Sequence, residues 1–95
     1  MPKASAPWLP ISYDGKKADV AALQAMRRGE ANADQQVRAL EFILETICDR
    51  NGMSYRPGGL EGDRDTAFAE GRRFVGNQIV KLTKLPLSKL EEKPK

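Results

Sequence analysis

The apolar positions of this chain recur at intervals of three and four along three stretches and never alternate over the length of a strand. The first stretch predicts a short helix over about residues 16–28, with Val20, Leu23 and Met26 on one face and Gly29 as its stop. The second predicts a helix over 33–50. Asn32 and Gln35 stand at the capping-box spacing before it, and Asn51-Gly52 provides a left-handed close after it. Val37, Leu40, Leu44 and Ile47 form its expected core stripe, widened by Ile43 and Cys48. The third runs over 63–84, from the acidic start Asp63/Asp65 to the stop at Pro86. Phe68, Gly71, Val75, Ile79 and Leu82 are its expected packing stripe.

Glycine inside a helix costs about 0.5–1 kcal/mol relative to alanine. Gly71 and Gly76 in one helical stretch therefore predict close approach of another surface, with Gly71 expected at the closest point. The pattern as a whole predicts an all-α fold: a small helical hairpin with a short N-terminal helix. Residues 1–15, with Pro2, Pro7 and Pro10, read as an extended arm, residues 16–85 as a single helical domain, and residues 86–95 as a charged tail. Trp8 and Tyr13 give the arm apolar weight, to be folded back on its own core or inserted into a neighbouring subunit. A glycine-rich loop, residues 51–62, separates the last two helices.

Composition narrows the chemistry. The chain has no histidine and one cysteine, Cys48, so an intrachain disulfide, the usual zinc sites and Ser/His or Cys/His catalysis are all excluded. Cys48 lies on an apolar stripe and reads as a small buried hydrophobe. Asp49, Asn51 and Glu61 do not form a calcium loop, because Ser54 stands where the loop glycine belongs. No Gly-Lys-Ser/Thr phosphate loop, membrane-length apolar run or signal-peptide apolar core is present. Asp63, Asp65 and Glu70 amount to a carboxylate cluster along one helix, so neither an enzyme nor a cofactor is expected.

The net charge of +3 is unevenly spread, with basic ends around an acidic middle that includes Glu41, Glu45 and Asp49. Arg72 and Arg73 point about 100° apart on a helix. One is expected to fork onto a carboxylate of the second helix, Glu41 or Glu45, and the other to face outward. Together with Lys81, Lys84 and the off-stripe Phe74, they are the candidate interface to a partner protein or to DNA phosphates. A helix-turn-helix reader is excluded by the length of the 51–62 spacer.

Two segments carry a resemblance: F-I-L-E-T-I-C at residues 42–48 and T-A-F-A-E-G-R-R-F-V-G-N-Q-I at residues 66–79. They resemble a family of small structural proteins encoded by short-tailed bacteriophages. Members often continue from the cysteine into Gly-Val-Phe and carry Gly-Asn before the third helix, and here Asp49 to Tyr55 and Gly62-Asp63 depart from that pattern. The resemblance implies a non-enzymatic helical virion protein made in the host bacterial cytoplasm. It is expected to assemble in multiple copies, as a homo-oligomer or with portal, neck or internal proteins ejected with the genome. A nucleic-acid-binding accessory or regulatory protein with non-specific DNA contact is the alternative, and no membrane partner is expected.

Overall fold

In the computed structural model, residues 6–53 and 55–91 are described. The expectations for Pro2 in the arm and for the last four residues of the tail fall outside them. The chain is all-α, with no strand among the described residues. Helix α1 spans Lys17–Arg27 and α2 spans Ala33–Glu41, which continues without a break into a π-helical turn at Phe42–Ile47. The long helix α3 spans Gly59–Lys84, and a 3₁₀ turn follows at Leu87–Glu91.

The first connection follows the sequence closely. Gly29 takes a left-handed φ of +74° that ends α1. Asn32 then opens α2 with both capping-box bonds: the Gln35 amide donates to Asn32 Oδ1 at 2.8 Å, and the Asn32 amide donates to Gln35 Oε1 at 3.0 Å. Helices α1 and α2 form the closest pair. Small side chains allow it, since Ala22 and Ala25 of α1 and Ala39 of α2 are buried. Arg38 Nε reaches Asp19 Oδ1 at 2.7 Å across the pair.

The second helix departs from expectation halfway along. From Phe42 the turns widen, and the Cys48 amide donates to the Ile43 carbonyl five residues back at 2.8 Å. A π turn takes in about one more residue than an α turn. Side chains beyond it are therefore rotated away from the α-helical register. Phe42, Leu44 and Cys48 are buried, whereas Val37 and Ile47 of the expected stripe are exposed and Leu40 and Ile43 are half-buried. The close of the helix also moves. Asp49, with φ +49°, takes the left-handed position expected of Asn51-Gly52, and the Arg50 amide donates back to the Leu44 carbonyl at 3.0 Å.

Helix α3 starts at Gly59, earlier than the acidic start predicts, because the loop packs onto its first turns. The Arg56 amide donates to Thr66 Oγ1 at 2.7 Å, and a Cβ on Gly62 would lie 2.5 Å from the Arg56 carbonyl oxygen. Gly62, Ala69 and Gly76, spaced by seven, are the buried positions of α3. The expected stripe is on the other side: Phe68, Val75 and Leu82 are exposed, Ile79 is half-buried, and a Cβ on Gly71 would meet nothing within 4 Å. The close approach is at Gly76, where a Cβ would stand 2.9 Å from Cys48 Cβ and 3.4 Å from Arg50 Cβ. Both stripes satisfy helical spacing. The one with no room for side chains is the one that packs, because it meets the turn after α2 through small groups.

Gly76→Val is accordingly expected to destabilise the fold by about 1–3 kcal/mol through overpacking against Cys48. Urea unfolding measures it, and a midpoint equal to that of the parent would rule out the close contact.

Candidate functional site

The long helix organises the molecule through two faces with different chemistry. On the inner side, Arg72 does not fork onto Glu41 or Glu45. Its guanidinium caps the end of the π turn. Nε and Nη2 donate to the Ile47 carbonyl at 3.0 and 2.7 Å, Nη2 also donates to the Thr46 carbonyl at 3.1 Å, and Nη1 donates to the Pro7 carbonyl at 2.9 Å. The last carbonyls of a helix have no intrahelical donor, and the planar fork of arginine supplies several at once. One side chain thus joins α3, the end of the second helix and the N-terminal arm, whose Pro7 is buried. Glu45 has other partners, the Asn51 side-chain amide and Arg50 Nη1, the latter at 3.6 Å.

Arg73 pairs with Glu70 on its own helix at 3.8 Å. Lys81 and Lys84 are exposed in the last turns of α3. Of the aromatic candidates, Trp8 is 58 % exposed and lines a shallow hollow with Glu61, Arg64 and Asp65 at the start of α3. Tyr13 stands apart from it, over Val20, Ala21 and Gln24 of α1. Phe74 is 61 % exposed. The arrangement therefore brings Arg72 and the arm together, and separates the remaining interface candidates along α3 and α1.

The outer face of α3 carries the apolar weight. Phe68, Val75 and Leu82 are 47 %, 51 % and 67 % exposed, and Leu60 is exposed too. At 100° per residue, these four and Gly71 lie within an arc of about 80° opposite the buried Gly62, Ala69 and Gly76. Among the described residues, no three His, Cys, Asp or Glu side chains gather so as to hold a metal ion, and no helix is long and apolar enough to cross a membrane. The surface can bind by apolar contact and charge.

The sequence pattern flagged the right helix, but it missed Arg72 as a carbonyl cap. The only signal was a second helix whose end lacked a lysine or arginine of its own in its last turn. Compared with known protein families, curated proteins and solved structures, the chain matches none.

Proposed function

We propose that this chain is a non-enzymatic structural protein that works in multiple copies, as a component of a short-tailed phage particle near the portal, the neck or the internal proteins ejected with the genome. The observation that carries the assembly role is the exposed apolar face of α3 on a chain with little core of its own. Among the described residues, four of the seven buried core side chains are alanines: Ala22, Ala25, Ala39 and Ala69. No large side chain is fully buried among the described residues. The radius of gyration is 16.5 Å, against about 12 Å for a compact chain of this length. Such a shape suits a subunit that completes its packing against neighbours. The particle as the setting is supported by the resemblance of residues 42–48 and 66–79 to small phage structural proteins. The nucleic-acid reading loses support from the inward turn of Arg72 onto three carbonyls.

Quantitative mass spectrometry of gradient-purified particles of a phage encoding this chain tests the reading. The chain is expected in the mature particle at several copies. Its absence from particles would overturn the proposal.

A further inference from the structure

Gly71 is unexplained by anything within the chain. It is exposed, a Cβ there would enter open space, and its helical φ needs no glycine. A glycine so placed costs helix stability of about 0.5–1 kcal/mol with no return in the single molecule. It also lies at the midpoint of Gly59–Lys84 and in the middle of the outer apolar stripe. The charges of α3 divide at the same point. Residues 59–70 hold four acids, Glu61, Asp63, Asp65 and Glu70, against Arg64 alone, whereas residues 71–84 hold Arg72, Arg73, Lys81 and Lys84 and no acid.

From this geometry we infer that two copies of the chain pair through the outer faces of α3, antiparallel and crossing at Gly71. The inference rests on the multicopy part of the reading above. In a two-fold antiparallel pair, positions equidistant from the midpoint face each other. Phe68 of one copy then meets Val75 of the other, Leu82 meets the Leu60–Glu61 step, and Arg64, which shares the arc of Leu82, comes opposite Gln78. The seven-residue spacing of Phe68, Val75 and Leu82 keeps them on one seam, and the missing side chain of Gly71 lets the two backbones come together at the crossing. Of the charges near the seam, Asp63 of one copy comes beside Lys81 of the other. A parallel pair would set Arg64 on Arg64 and Lys81 on Lys81. A helix whose pattern complements its own reversal fits a second copy of itself.

The surface to be covered is sufficient. The chain exposes 7852 Å², against about 5,400 Å² for a folded monomer of its mass. If the ten residues outside the described segments are discounted at about 160 Å² each, an excess of about 850 Å² remains. A stable interface needs about 800 Å² from each partner.

Sedimentation velocity and native mass spectrometry of the full chain test the pairing. A dimer, or an even multiple of it, is expected at about 10 μM. Val75→Glu places a charge in each half of the seam and is expected to weaken association by about 100-fold or more. Its helical circular dichroism should stay unchanged, because Val75 is already half exposed in the single chain. Orientation is read by oxidative cross-linking. Chains carrying Arg64→Cys mixed with chains carrying Gln78→Cys should join. Chains carrying Gln78→Cys alone should not, since their two sulfurs would stand about 20 Å apart along the helices. A monomer at about 100 μM, a dimer indifferent to Val75→Glu, or efficient self-linking through Gln78→Cys would each overturn the inference. A monomer found in phage particles would sink the pairing and leave the proposed function standing. A Val75-dependent antiparallel dimer absent from particles would do the reverse.

Discussion

Phe42→Ala is expected to lower the stability of the fold by about 3–5 kcal/mol, enough to leave much of a small domain unfolded at 37 °C. Phe42 is one of three phenylalanines and the only one buried. It opens the π turn that continues α2 and packs against α3, and the rest of the core is mostly alanine. With so few large side chains inside, no neighbour can relax far enough to fill the space. Phe74→Ala provides the comparison. Phe74 is mainly exposed, so its removal should change stability within about 0.5 kcal/mol when the chain is dilute. Thermal and urea unfolding of the two variants side by side would decide the matter. Equal losses would show that Phe42 does not anchor the core.

The contrast between these two residues also marks what could be read from the sequence. Helix existence was legible because the apolar spacing, the Asn32–Gln35 capping box and Gly29 all act locally. The faces were not. On the second helix Leu44 and Cys48 are buried as their spacing predicts, but that spacing presumes α-helical turns, and the wider turns from Phe42 onward leave Ile47 outward. On α3 the larger side chains marked an apolar stripe, while packing selected Gly62, Ala69 and Gly76, whose smallness leaves no hydrophobic signal. Gly71 and Gly76 look alike in one dimension. Only the placement of Cys48 and Arg50 shows that one glycine is required inside the chain and the other is not. The loop at residues 51–62 was opaque for a related reason: its role is to lay the Arg56 and Pro57 backbone against Gly62 and Thr66. Such backbone contact depends on which surfaces meet.

Arg72→Ala is expected to cost about 2–4 kcal/mol, since a charged donor is lost from three carbonyls at once. Two of those carbonyls, of Thr46 and Ile47, close the second helix, and the third, of Pro7, fixes the arm. Loss of the first two should lower the unfolding midpoint. Loss of the third should free the arm before the domain unfolds, seen as altered Trp8 fluorescence and faster proteolysis around residues 6–12 under native conditions. Arg72→Lys should recover little of either, because a single ammonium cannot reproduce the planar spread of donors that reaches Ile47, Thr46 and Pro7 together. Arg73→Ala is the neighbouring control. Its pair with Glu70 is long and partly exposed, so its loss should fall below about 1 kcal/mol. If Arg72→Ala and Arg73→Ala behaved alike, the guanidinium would not be the joint between arm, turn and long helix. If Arg72→Ala released the arm while the outer stripe of α3 still associated, the two faces of that helix would be separable: one holds the chain together, and the other is left for its neighbours.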